Sequence, residues 1–539
     1  MTGMKRREFL GVVGMGAAGS LIASGTAIAN TQTINMPAKQ RIEFSKGSSE
    51  HPMNIRLNVK PVYWPLIHSD IWEGPCRPSA GLKPKKQEMD WKAALALADG
   101  KTPEQEKEEA RSGVKKFAED LKTNLSPDIR LLEPALLECS EDFRIRPEEL
   151  ARLEADNDKT DVYILAIDKF SNYIANVIAD TFKKPVVSFG GMLFITADLI
   201  ASMKARGLEG YAVYDLFDPK ELNYILSLLK ARKVLQQTSI LIITDRGLPP
   251  IPVQSCMDID TLKENFGIRS HFVTYREFIN EMESLINSKE WSRKAKDSAE
   301  SLIKNAAETH IDKQHVKRSF EFYYTIKNLM EKYDCNAFTV ECFELCASRI
   351  AEKYKITPCL VHTLLKDEGM ASACEADLNA MLSMRLLMSV SNKSSFMGNS
   401  IAITDDLVYL NHSVPGIKMA GYDKPDLPYH LRHFVESGWG TKVMIDFMQS
   451  EEKTVTLARL NKFGTKIFLA KGDIVNCTGF NTENLIGCSL AAHIKVPDAK
   501  KFMQKQSQFG SHISMVYGDY TREISELADM MDLEVVYAI

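Results

Sequence analysis

From residue 160 onward, short apolar runs alternate with stretches whose apolar residues recur every three or four positions. The runs fall at 162–167, 185–188 and 211–214, and the alternation resumes at 239–244, 271–274, 337–341 and 358–361. Runs this short and this apolar read as strands buried on both faces, and the helical stretches between them supply the crossovers that parallel strands need. Two doubly wound units meeting near residue 236 are therefore predicted. Long helices are expected over 276–332 and another helix over 378–391, while the alternation at 54–60 predicts an earlier strand. The charged stretch 88–122 reads as a solvated helical face.

After about residue 395 the texture changes to turn-bounded strands at 401–403, 407–411, 454–460, 466–470, 472–475 and 492–496, followed by a helix at 520–532 and a last strand at 533–537. Strands of this length and spacing predict a small barrel or sandwich. The expected fold is α/β: two doubly wound parallel-sheet domains, 30–236 and 237–395, followed by a C-terminal antiparallel β-barrel-like domain, 396–539.

The first 29 residues carry Lys5, Arg6 and Arg7, then Phe9 and Leu10, a weakly apolar Gly/Ala-rich core, and Ala27-Ile28-Ala29. This segment resembles a twin-arginine export signal, which predicts a periplasmic or otherwise exported protein. Residues 30–50 read as a tether.

Composition narrows the function. The 67 Lys and Arg against 71 Asp and Glu leave a net charge of −4, without the basic excess of a nucleic-acid binder. A hydrophobic fraction of 45% excludes large-scale disorder, and the mean hydropathy of −0.19 predicts no membrane association beyond the leader. The ten cysteines form no regular disulfide framework. Cys342 and Cys346, one helical turn apart, lack a second pair of metal-ligand spacing and read as small buried hydrophobes.

Ligands of an open parallel sheet gather at the carboxyl ends of its strands, which singles out Glu341, after the run 337–340, and Glu375 and Asp377, just before the 378–391 helix. Helix capping is the alternative reading of Asp377, and a macrodipole-favoured carboxylate that of Glu341. Among eleven histidines, His412 and His512 sit at strand and loop positions where a ligand role competes with ordinary hydrogen bonding. Two carboxylates and an imidazole with open positions suit a divalent metal, most simply Mn²⁺.

Two segments carry a family resemblance: DEGMASACEADLNAMLSMRLL at 367–387, and the set VTLAR at 455–459, AKGDI at 470–474 and FGSHISMVYGDY at 509–520. Together they are similar to the L-fucose isomerase-like superfamily of aldose–ketose isomerases, from about residue 55 to the C-terminus. The resemblance implies two α/β domains and a C-terminal barrel. It implies Glu341, Asp377 and His512 as metal ligands, with Glu375 the alternative to Asp377 one acid earlier. Glu341 and Asp377 would also move the proton of an enediolate reaction. Trp72 and Arg77, in the segment HSDIWEGPCR at 68–77, would lie near the sugar together with His412. A homo-oligomer, trimer or hexamer, is further implied. The chain departs from the family pattern at Ser413, where a cysteine often follows the histidine, and at Ile513, where a second histidine often stands. An exported sugar-binding or catalytically silent relative, and a metal-dependent epimerase or lyase, are the competing readings.

Overall fold

Leu57–Trp64 forms the strand on which the first sheet is built (β1). The structure is a computed structural model, and it describes residues 42, 44, 45, 50–70, 102–140, 142, 144–167, 173–189, 193–213, 219–480 and 486–538. All of these fall within Lys39–Ile539, which is one compact unit. The leader, Trp72 and Arg77 lie outside the described residues.

Alongside β1 run β2 (Ile129–Leu131), β3 (Ala135–Leu136), β4 (Val162–Ile167), β5 (Val186–Phe189) and β6 (Gly210–Val213), all parallel, in the order β2-β1-β4-β5-β6 with β3 also on β1. The Pro219–Gln236 helix then leads to β7 (Ser239–Ile243) and β8 (Arg269–Val273). Next comes β9 (Glu308–His310), which leaves this sheet, followed by β10 (Ala337–Val340) and β11 (Ser372–Ala373). The second sheet is parallel, in the order β11-β10-β7-β8. Its fourth strand is the two-residue β11. The apolar run expected as a strand at 358–361 is instead the start of the Cys359–Asp367 helix. Leu360, Val361, Leu364 and Leu365 share a helical face there, and a four-residue apolar run cannot by itself distinguish the two periods.

The remaining strands are β12 (Phe396–Ala402), β13 (Leu407–His412), β14 (Tyr429–His433), β15 (Thr441–Ile445), β16 (Thr454–Leu460), β17 (Lys466–Thr478), β18 (Leu490–Lys495), β19 (His512–Tyr517) and β20 (Glu534–Tyr537). Six of them close an antiparallel barrel, β16-β19-β12-β13-β18-β17 and back to β16, with β20 added parallel to β17. The α/β class ending in an antiparallel barrel is thus as the pattern predicts. The expected strands 466–470 and 472–475 are one continuous strand, β17. Gly472 within it is a close approach: a Cβ there would lie 2.5 Å from Ile494 Cγ2. The hairpin β14–β15 was not expected, and it captures β9 in a three-stranded sheet.

The Leu378–Ser391 helix is buried around nearly its whole circumference, as its lack of a polar face requires. It packs on β16 and β19 of the barrel and on the Pro219–Gln236 helix, so one apolar core joins the parallel sheets to the barrel. Its Arg385 is satisfied inside that core by the carbonyls of Gly369 and Asn336, each at 3.0 Å. Among the described residues no helix is long and apolar enough to cross a membrane.

Candidate metal centre

The carboxyl ends of β10 and β11 are adjacent, and each delivers a glutamate. Glu341 follows Val340 directly and caps the short Cys342–Ala347 helix, its Oε2 accepting the Glu344 N–H at 2.6 Å. That leaves Oε1, which is buried and hydrogen-bonded to nothing among the described residues. Glu375 sits in the turn between β11 and the Leu378–Ser391 helix with φ at 60°, and Ala376 after it has φ at 50°. Two consecutive left-handed residues with a Cβ cost about 1–2 kcal/mol each. Surrounding bonds hold the turn: Ala376 N–H donates to Val340 O at 3.1 Å and Asp377 N–H to Cys374 O at 3.2 Å.

The barrel supplies the imidazoles. His412 ends β13 and His512 begins β19, on either side of β12, and the shared partner Asn399 pairs with both Asn411 and His512. Their rings lie 5.3 Å apart, centre to centre. Glu375 bridges them, with Oε1 3.5 Å from His412 Nε2 and Oε2 3.5 Å from His512 Nε2. Donor atoms of Glu375, His412 and His512 all lie within 4.8 Å of one another, and all three residues are buried. Two donors about 2.1 Å from a common ion stand about 3.0–3.5 Å apart at octahedral to tetrahedral angles, so this spacing admits a divalent cation.

Asp377 is placed differently. Its Oδ1 caps the Leu378–Ser391 helix through the Ala380 N–H at 3.0 Å. Oδ2 accepts from Arg459 Nη1 at 2.7 Å and faces His512 Nδ1 at 2.9 Å. Burial would raise this carboxyl, but the Arg459 guanidinium and His512 override it and hold it well below the usual range. An ionised carboxylate only accepts, so His512 Nδ1 carries the proton and Nε2 is turned toward Glu375. Arg459 is itself fixed by Phe509 O at 2.6 Å and His512 O at 2.9 Å.

Electrostatics bind the cluster in the same sense. Burial works against ionised Glu375, yet His412 and His512 hold it at about 2. His412 is pushed down by burial and raised to about 10 by the Cys488 thiolate and by Glu375. His512 is likewise raised despite burial, by Asp377 and Glu375. Glu341 goes the other way, lifted by burial and by the charges of Glu344 and Glu375.

The residues fit a cation on the chemistry of their unsatisfied atoms. Both ring nitrogens of His412, Nε2 of His512 and Oε1 of Glu341 are buried without a hydrogen bond among the described residues. Such orphans cost roughly 1–3 kcal/mol each unless something ligates them. Of the residues named from sequence, the structure gathers His412 and His512 in one donor group, of which Glu341 and Asp377 are not members; Glu341 lies within electrostatic reach of Glu375. It sets Glu375, the alternative acid, opposite the two imidazoles, and Asp377 behind His512. His412, expected beside the sugar, belongs to the same cluster as His512. Arg459 had no assigned role, although a single guanidinium within the apolar run of β16 was a visible signal that a buried anion waits opposite. Cys342 and Cys346 differ from the buried hydrophobes expected: the first is half-buried and the second exposed.

A second Glu/His group, Glu308, His310 and His430, lies on β9 and β14 with Glu308 and His310 exposed. Glu308 Oε2 is already 2.6 Å from His310 Nε2, and His430 Nδ1 faces Phe480 O at 3.1 Å. These atoms already have hydrogen-bond partners, unlike the orphans of the buried cluster.

No family model matches the chain. It is similar to proteins named sulfoquinovose isomerase from Priestia aryabhattai and from Priestia megaterium (strain ATCC 12872 / QMB1551). Each is 20% identical over 379 residues, which cover 66% of this chain and 80% of the relative.

Proposed function

We propose that this chain is a cation-dependent sugar isomerase that interconverts an aldose and a ketose through an enediolate. The observation that carries the reading is the buried trio Glu375, His412 and His512 with its unsatisfied nitrogens, placed where the parallel sheet's carboxyl edge meets the barrel rim. The similarity to sulfoquinovose isomerases supports the reaction class and makes sulfoquinovose the first aldose to try.

Glu375, His412 and His512 would hold the cation, and mixed nitrogen and oxygen donors suit a divalent ion such as Mn²⁺. When bound, the ion supplies Lewis-acid polarisation of the sugar's neighbouring oxygens, which acidifies the C2 proton. Isomerisation then requires a group that takes that proton and returns it to C1. Glu341 is suited to this, because burial and the charges of Glu344 and Glu375 raise its affinity for a proton above that of an ordinary carboxylate. Asp377 is committed to Arg459 and His512, and acts by keeping Nε2 of His512 aimed inward. The leader, read as an export signal, places the reaction outside the cytoplasm in this proposal.

The test is solvent deuterium uptake at C2 of an aldose panel, run with Mn²⁺ and with chelator. Cation-dependent exchange lost in Glu375→Gln supports the isomerase. Stoichiometric sugar binding without cation or exchange would instead identify a sugar-binding protein. Exchange accompanied by inversion at C2 or loss of water would identify an epimerase or lyase.

A further inference from the structure

Five of the chain's cysteines converge on the cluster. Cys342 follows Glu341, Cys374 precedes Glu375, and Cys346, Cys359 and Cys488 stand within electrostatic reach of them. The two that flank the glutamates are in contact: the Cys374 thiol donates to Cys342 Sγ with the sulfurs 3.6 Å apart. Both side chains pack in one apolar cluster, and as weak donors and acceptors they gain little from each other, so what the contact offers is proximity of two sulfurs.

We propose that Cys342 and Cys374 form a disulfide under thiol-oxidising conditions, tying together the two turns that carry Glu341 and Glu375. A disulfide needs its sulfurs about 2.05 Å apart, so closing the bond brings them together by roughly 1.5 Å. Cys342 is half-buried and Cys374 buried, which orders the steps. With oxidised glutathione as oxidant, the Cys342 thiolate attacks one glutathione sulfur, breaking that S–S bond and releasing one glutathione thiolate. The Cys374 thiolate then attacks Cys342 Sγ of the mixed disulfide and releases the second. The protein loses two protons and two electrons, and two molecules of reduced glutathione take them up. Drawing the sulfurs together shifts both glutamates, whose turns are fixed to them through one peptide bond. The bond itself does not depend on the isomerase reading; its effect on the cation does.

The experiment incubates the full chain with oxidised glutathione, blocks remaining thiols with iodoacetamide, and maps the digest by mass spectrometry. A Cys342–Cys374 cross-linked peptide and two fewer free thiols among the ten are expected, absent in Cys342→Ser. Alkylation of both residues, or linkage of either to Cys346, Cys359 or Cys488, would overturn the pairing. Mn²⁺ titration of the reduced and oxidised chain reads the consequence: affinity should fall about tenfold on oxidation, at the lower end of what disturbed ligand orientation costs, and stay unchanged in oxidant-treated Cys342→Ser. Cross-linking with unaltered Mn²⁺ affinity would refute the link to Glu341 and Glu375. Absence of Mn²⁺ binding in either state would sink the cation reading while leaving the disulfide map standing. Should Cys342→Ser fold poorly, Cys342→Ala serves the same comparison.

Discussion

Arg459 and Asp377 meet at 2.7 Å with neither side chain exposed to solvent, and the same Asp377 oxygen faces His512 Nδ1. A guanidinium, a carboxylate and an imidazole are thus in series behind the cluster. Removing one member of a buried pair leaves an uncompensated charge, at a cost of about 3–5 kcal/mol. Asp377→Asn should lose about that much in a urea titration. The double variant Asp377→Asn/Arg459→Met should lose less than Asp377→Asn alone, because no charge is then stranded. Equal losses would show that the pair is screened.

Cation retention separates the donors from their supports. Glu375→Gln, His412→Ala and His512→Ala should each abolish measurable Mn²⁺ binding by titration calorimetry. Arg459→Lys, which keeps the charge but loses the fork that holds Asp377, Phe509 O and His512 O together, should weaken it by about 10–100-fold.

The cation-free chain should be most stable in mildly acid solution. Burial opposes both charges, yet Glu375 is held at about 2 and His412 is raised to about 10 by their attraction and by Cys488. A lowered carboxylate contributes stability that is present above its ordinary value of about 4.3 and lost as pH falls toward 2. A raised imidazole contributes stability that is present below about 6.5 and lost as pH rises through 10. Thermal unfolding in chelator should therefore peak between about pH 4.5 and 6.5, and Glu375→Gln should flatten both flanks. Saturating Mn²⁺ should remove the alkaline decline, since the ion replaces the proton on His412.

Gly510 is fixed by its neighbours. Its φ is +119°, and a Cβ would lie 2.7 Å from Arg459 Nη2 and 2.4 Å from Ser255 Oγ. Gly510→Ala should destabilise the fold by about 1–3 kcal/mol and lower Mn²⁺ affinity as Arg459 is displaced, both read by the measurements above.

The periodic parts of this fold were legible in the chain because burial on both faces writes an unbroken apolar run. That is why β4, β7 and β10 fall where the pattern put them, and why β9, a three-residue strand of exposed Glu308, Thr309 and His310, left no trace. The Cys359–Asp367 helix was misread as a strand because four apolar residues fit either period. At the site, the position of the acids was legible from strand ends, but which acid faces the imidazoles was not. That choice is made by two left-handed residues, Glu375 and Ala376, and neither residue type announces such a backbone. The pairing of Cys342 with Cys374 was equally hidden, since 31 residues separate them along the chain and only the parallel pairing of β10 with β11 brings them face to face.

The closed barrel has one further consequence. Strands in an open sheet can slip by a residue, and each slip sends every side chain to the opposite face. Here β13, β12 and β19 belong to a ring in which each strand is clamped by two neighbours, so a slip at one seam would have to propagate around all six. His412 and His512 therefore keep their spacing as two teeth of one gear do. The loops at the rim are free to diverge and reshape whatever lies above the imidazoles, while the imidazoles themselves stay in register.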